Sequence, residues 1–291
     1  MGAIRSRRML KISQGERDYL VQGVEAGLRN DGRGLRQQRP VSVSVGSLGQ
    51  ANGSCSLQLA GTDILVGIKL EIGAPEEGRP GEGRVEVRVE CCPSASPEFE
   101  GRGAAELNGE LELSLRRLLL SPGALPLGAL CIVPGQHCWV VYADVLVLDS
   151  DGNLFDAISL ACRAALADTR VPRLVVLAEG DAVEIQVVED PAECDALDAA
   201  GVPVNVTLTK IGNQFVVDPS LEEEQCQSAR LTVAVNARGH TLAVQKGGRG
   251  GLLPSSLHAM LHTARHIGIQ MILSLDQSLA KTDELRQPSS F

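Results

Sequence analysis

The sequence predicts an α+β fold. Strand-forming stretches come in blocks, and each block is closed by a single helix, the pattern of segregated layers rather than of a doubly wound parallel sheet. The segments 40–168 and 203–280 both run strands first and helix last, which hints at an internal duplication. No stretch between them is long or flexible enough to read as a linker. One domain over residues 13–280 is therefore expected, with halves at about 30–170 and 200–280 and flexible tails at 1–12 and 281–291.

Each element has a local reason. Ser13-Gln14-Gly15-Glu16 has the form of a capping box, and Leu20, Val21, Val24 and Leu28 then recur at helical spacing. The charged turn Arg29-Asn30-Asp31-Gly32-Arg33-Gly34 ends that helix. Val41, Val43 and Val45 alternate as in a strand, as do Cys55, Leu57 and Leu59, and the apolar run Ile64 to Ile72 reads as a buried strand. A Gly/Pro/Glu loop over 73–83 precedes alternating Val85, Val87 and Val89. A helix is expected over Glu106–Leu120, a strand over Cys138–Leu148 and a helix over Asn153–Asp168. Short strands follow over 171–188 and 202–217, then a hairpin over 231–244 and a long helix from about Ser255 to Ala280.

Composition narrows the function classes. The 291 residues are 44% hydrophobic and 22% charged, which suits a soluble globular chain with a sizeable core. Aromatics make up 2%, which argues against the base-stacking platforms of many single-strand binders. A net charge of −9 argues against a free-standing, non-specific nucleic-acid binder, although 22 of the 27 basic residues are Arg and could form a local path. Eight cysteines without a C-x-x-C pair read as buried thiols in a reduced compartment, with neither zinc nor a disulfide framework. No run reaches the length of a membrane span, and no membrane partner is expected. Met1-Gly2-Ala3-Ile4-Arg5-Ser6 fits a myristoylation pattern, and the same Arg-rich start could pass for a transit peptide; a frayed tail is the expectation.

Several candidate sites carry little. His258, His262 and His266 share an i, i+4, i+8 spacing but fall on the flank of the apolar stripe and opposite it and lack an acidic partner, so a solvated helix face is expected and no metal site. His137 and Cys138 are adjacent on a strand and point to opposite faces. Lys246-Gly247-Gly248-Arg249-Gly250-Gly251 reads as a flexible connection. The run Asp218 to Glu224 could supply general acids or hold a metal, but a solvated turn is the expectation on spacing alone. No cofactor is implied. The turn Asp151-Gly152-Asn153, between a strand and a helix, is where backbone N–H groups would gather an anion, yet Leu154 and Phe155 follow it.

Five motifs in order carry a resemblance. Arg29-Asn30-Asp31-Gly32-Arg33-Gly34, Gly61-Thr62-Asp63-Ile64-Leu65-Val66, Pro97-Glu98-Phe99-Glu100-Gly101-Arg102, Gly152-Asn153-Leu154-Phe155-Asp156-Ala157, and Val217-Asp218-Pro219 with Glu222–Glu224 resemble the RNase PH-like family over about residues 13–280. The stretch His137–Ala161 looks more like the family's eukaryotic exosome subunits than its archaeal ones. The resemblance implies the RNase PH-like fold (ribosomal protein S5 domain 2-like), with two pseudo-duplicated βαβα halves. It further implies a six-membered ring of related subunits in the RNA exosome, with S1 or KH caps, RNA threading the channel and a separate processive 3′-to-5′ exoribonuclease. Nucleus, nucleolus and cytoplasm are the implied locations.

Active members of the family use phosphate to cleave the terminal RNA linkage, and their turn reads Gly-Gly-Thr-Arg, with Thr and Arg holding the anion. Here the matching residues are Asp151, Gly152, Asn153 and Leu154, so an aliphatic chain replaces the cation and a carboxylate stands at the turn. The family's two Asp, six apart, correspond to Asp218 and Glu224. These degenerate positions imply no catalytic residue and a silent subunit that helps line the RNA path. Arg116 and Arg117, near where related subunits place arginines toward RNA, are the candidate RNA contacts, with a helix-terminal role as the alternative; Gly109 and Leu113 stand where archaeal relatives can place Arg. An active or composite-site phosphorolytic exoribonuclease is the alternative function, and an unrelated α+β binding protein a third.

Overall fold

In a computed structural model of the chain, residues 12–100, 104–179, 182–188 and 193–286 are described. The capping box at Ser13 and Glu16 opens α1 (Gln14–Glu25), with the Ser13 hydroxyl accepting from Glu16 N–H and the Glu16 carboxylate from Ser13 N–H. The N-terminal half contributes β1 (Val41–Val45), β2 (Gly53–Leu59), β3 (Thr62–Gly73) and β4 (Arg84–Cys91). Next come α2 (Ala105–Leu119), β5 (Cys131–Val133), β6 (His137–Asp149) and α3 (Leu154–Asp168). The strands form one sheet in the order β1-β2-β3-β6-β4, with β5 on β6. Only β4 and β6 are parallel on that path, and α2 is the crossover that a parallel pair requires.

Two short ribbons connect the halves: β7 (Arg170–Pro172) with β10 (Cys194–Ala196), and β8 (Leu174–Glu179) with β9 (Ala182–Val187). The C-terminal half is an antiparallel sheet of β11 (Val204–Ile211), β12 (Gln214–Val217), β13 (Ala229–Val235) and β14 (Thr241–Gly247), in the order β12-β11-β13-β14. The helices α4 (Leu221–Cys226) and α5 (Pro254–Arg286) complete it.

A layer of helices separates the two sheets. One side of α3 packs on β1, β2 and β3 and the other on β11; α2 packs on β4 and touches β14; α5 packs on β11 and β13 and reaches β1. A helix so enclosed is apolar on most of its surface, and every residue of α3 from Leu154 to Leu166 is buried, Asp156, Ser159 and Arg163 among them. The main hydrophobic core crosses between the halves, joining Ile64, Val66 and Ile68 to Val202, Val204 and Ile272.

Three expectations are corrected. The apolar run in β3 is buried on one face only: Ile64, Val66 and Ile68 face the helices, while Leu65 and Gly67 on the other face are half-buried. The acidic stretch after Val217 is not a solvated turn, because Ser220 and Glu223 form a capping box that opens α4, and Glu223 is buried. Residues 281–286, read as part of a tail, continue α5, and Ile12 at the other end packs beside Leu20 and Val24. The remaining residues of both tails lie outside the described ones. Among the described residues, no helix is long and apolar enough to cross a membrane.

Candidate functional site

Four of the five sequence motifs converge at the N-terminus of α3. The turn Asp151-Gly152-Asn153 delivers the chain from β6 into α3, with Gly152 (φ 83°) and Asn153 (φ 57°) both left-handed. Thr62, at the start of β3, ties the turn down: its hydroxyl donates to Gly152 O and accepts from Asp151 N–H, each at 3.0 Å. Gly61 is required beside it, since a Cβ there would lie 2.9 Å from Asp151 Cβ.

Asp218 sits opposite, 1% exposed and itself left-handed at φ 50°. Its Oδ2 accepts from Arg39 N–H (2.8 Å), Arg39 Nε (3.0 Å) and an Arg33 guanidinium nitrogen (2.9 Å). Its Oδ1 accepts from the Arg39 guanidinium (2.8 Å) and from Asn153 Nδ2 (2.7 Å). Both lone-pair sets are thereby occupied. Burial alone would raise the Asp218 pKa, but hydrogen bonds and charge from Arg39 hold it below the ordinary carboxylate value. Arg29 completes the cluster: it forks onto the Glu223 carboxylate at 2.5 and 2.8 Å and donates to Val217 O and Asp218 O. Residues 29–39 thus form a strap across the start of α4, with Arg29, Arg33 and Arg39 turned into the cluster.

The anion seat at the α3 terminus is filled by the chain itself. Asn153 N–H donates to Glu224 Oε1 at 2.9 Å, so the second acidic position caps the helix where a phosphate would otherwise bind. Gly152 has no room for another guest, because even a Cβ there would lie 2.7 Å from Leu221 N at the opening of α4. Glu224 is half-buried, and burial pushes its pKa up against the opposing Asn153 N–H, Arg230 and Arg39. The nearby Arg230 is engaged elsewhere, stacked 4.3 Å over the Phe155 ring and paired with Glu110 at 2.9 Å. Leu154 and Phe155 line a cleft of about 80 Å³ with Phe99, Glu224 and Arg230. Phe99 is where the fifth motif touches the site, while Gly101 and Arg102 lie outside the described residues.

The carboxylate that stands at the turn is not the one that fills the anion seat. Asp151 turns its half-exposed carboxylate toward Arg39 at 3.3 Å, and the group that occupies the seat is Glu224. Asn153, Leu154, Asp218 and Glu224 all gather here. Arg116 and Arg117 do not: both are exposed on the last turn of α2, without an ion-pair partner among the described residues, and Arg117 borders a different cleft beside Val244 and Gln245. Among the described residues, no group of His, Cys, Asp and Glu could hold a metal ion.

The sequence reading missed Arg39, Asp156 and Thr207. Asp156, in the first turn of α3 and 1% exposed, accepts from Thr207 N–H (2.8 Å), the Thr207 hydroxyl (2.6 Å) and Asn153 Nδ2 (3.0 Å). Burial pushes its pKa up to about 7. A signal was present: Asp156 and Arg163 are charges inside an otherwise apolar helix, and such charges need partners. Arg163 finds its partners at Ala199 O, Val202 O and Asp276 of α5.

Comparison with known proteins gives the family. The 3′ exoribonuclease family matches with its domain 1 over residues 37–172 and its domain 2 over 201–267. The chain is 38% identical to an RRP42 protein of Dictyostelium discoideum over 93% of this chain and 98% of that one. It is 40% identical to the exosome complex component Rrp42 of Pyrococcus horikoshii over 85% of this chain and 89% of that one. Among solved structures, a chain of the Archaeoglobus fulgidus exosome, with RNA bound to the active site, superposes with a TM-score of 0.78 at 31% identity, covering 88% of this chain and 96% of that one. With both domains matched in order and the family's motifs folded onto one site, the chain belongs to the RNase PH family of 3′ exoribonucleases.

Proposed function

We propose that the chain is a structural subunit of the RNase PH-like ring of an RNA exosome and performs no phosphorolysis itself. The observation that carries this reading is the double occupation of the ancestral site. Glu224 fills the anion seat on Asn153 N–H, and Asp218 spends its acceptors on Arg33, Arg39 and Asn153. A general acid must reach a leaving group, and phosphate must find free N–H donors and a free cation; the engagement of Asp218 and of Asn153 N–H supports the reading that this site offers neither. The assembly follows from the relatives, which are named as exosome components. On this reading the partners are related ring subunits, S1 or KH caps and a separate processive exoribonuclease, with RNA passing the ring and Arg116 and Arg117 facing it, in nucleus, nucleolus and cytoplasm.

The test is release of nucleoside diphosphates from RNA in phosphate buffer, by the purified chain and by the reconstituted ring. None is expected from either. Leu154→Arg alone should not create activity, because Glu224 still occupies the seat. Phosphate-dependent release by the ring that Asp218→Asn abolishes while the ring stays assembled would overturn the proposal.

A further inference from the structure

We infer that the outer face of α5, together with the turn between β13 and β14, is a cationic surface that binds the phosphate backbone of single-stranded RNA. The chain carries 36 acidic and 27 basic residues, yet residues 225–275 contain no Asp or Glu at all. In that stretch stand Arg230, Arg238, Lys246, Arg249 and Arg265, with four of the five histidines. At about 100° per residue, His258, His262, Arg265 and His266 fall within an arc of roughly 100° on α5, opposite Met260, Ala264 and Ile267. Those three are buried, and Arg265 and the three histidines are exposed.

The β13–β14 turn extends this stripe. Gly239 (φ 74°) lies directly against the helix, where a Cβ would meet Arg265 Nε at 2.9 Å and Ile269 Cδ1 at 2.8 Å. The glycine lets the turn seat there and brings the exposed Arg238 and His240 beside Arg265. The strands on which α5 packs (β1, β11 and β13) contain no acidic residue. None of these six side chains has an ion-pair partner among the described residues, whereas Arg29, Arg33, Arg39, Arg163 and Arg230 are all paired.

A phosphate backbone fits this face better than a protein does. The exposed large apolar side chains here are Leu253 and Leu273, one at each end of the stripe and about 30 Å apart along the helix, so they form no joint apolar centre. Residues 216–290 contain no Phe, Tyr or Trp, so bases have nothing to stack on and binding must run through phosphates. Unpaired guanidiniums suit that role. The choice of RNA as the polyanion rests on the exosome-subunit reading.

Binding of a fluorescently labelled oligouridylate, followed by anisotropy across a range of salt concentrations, tests the surface in the full-length chain and in the assembled ring. Combined substitution of Arg238→Ala, Arg265→Ala, His258→Gln, His262→Gln and His266→Gln should weaken binding at least about fivefold. It should also flatten the salt slope by about 0.7 for each phosphate that is no longer neutralised. Arg265→Glu alone should act in the same direction with an unchanged thermal unfolding curve. Unchanged affinity and slope, or no RNA binding by either chain or ring, would overturn the inference. Preserved RNA binding with failed ring assembly would also overturn it, assigning the face to a neighbouring subunit. Phosphorolysis by the ring that depends on Asp218, in contrast, would sink the non-catalytic reading and leave this titration intact.

Discussion

Asp218 has exchanged reactivity for attachment. A carboxylate that takes five hydrogen bonds from Arg33, Arg39 and Asn153 is a fixed counter-charge for the strap of residues 29–39. Removing one member of a buried ion pair typically costs about 3–5 kcal/mol, because the partner charge is left unsatisfied. Asp218→Ala should therefore lower the unfolding free energy by about that much, read as a fall in the urea midpoint. Asn at this position tolerates the left-handed backbone but loses the charge, so Asp218→Asn should fall between wild type and Ala. Its depressed pKa fixes the sign of the pH dependence: the stabilisation is present above the unfolded value and is lost as pH falls through the folded one. An Ala variant as stable as wild type would mean the arginines find other acceptors.

At the scale of elements, α3 is where helix, strand and turn are held together, and Asp156 is its junction with β11. Its pKa rises from the ordinary 3.8 to about 7 because burial disfavours the charge more than Thr207 and Asn153 favour it. Between those values the folded protein keeps a proton that the unfolded chain releases, so this group's contribution to stability falls as pH rises through the window. An amide in its place can still accept from Thr207 N–H and donate to the Thr207 hydroxyl. Asp156→Asn should accordingly weaken the decline of Tm between pH 4 and 7, and an unchanged profile would show that Asp156 is ionised throughout. The elements themselves were legible wherever periodicity was strong: the alternating valines of β1 and β4, and the helical stripe of α1 behind its capping box. The short α4 was not, because three successive glutamates in six residues read as a solvated turn, although Ser220 and Glu223 were its capping signal. The site was half legible. Motif positions pointed to Asn153, Leu154, Asp218 and Glu224, but the partners Arg39 and Thr207 lie far away in the chain, and a single sequence carries no sign of such pairings.

At the scale of the molecule, two similar halves do not amount to two independent domains. The largest hydrophobic core takes residues from both halves, and α3, from the first half, takes the Asn205 and Thr207 N–H groups of β11 on Ser159 and Asp156, while Val206 and Leu208 of that strand pack with Met260, Ala264 and Ile267 of α5. Polar ties cross the same boundary: Arg39 to Asp218, Asp156 to Thr207, and Arg163 to Val202 and Asp276. Residues 200–286 expressed alone would leave the Asn205 and Thr207 N–H groups without Ser159 and Asp156, and Asp218 without its cations, at several kcal/mol against a typical stability of about 5–15 kcal/mol. The fragment should therefore lack a cooperative thermal transition by circular dichroism and show fast amide exchange in β11 and β13, while the full chain melts in one step. A sharp transition from the fragment would mean that α5 alone suffices to cover the second sheet. In that case α3 would be a shared cover rather than a shared core, and the strap of arginines a tether between two self-sufficient units.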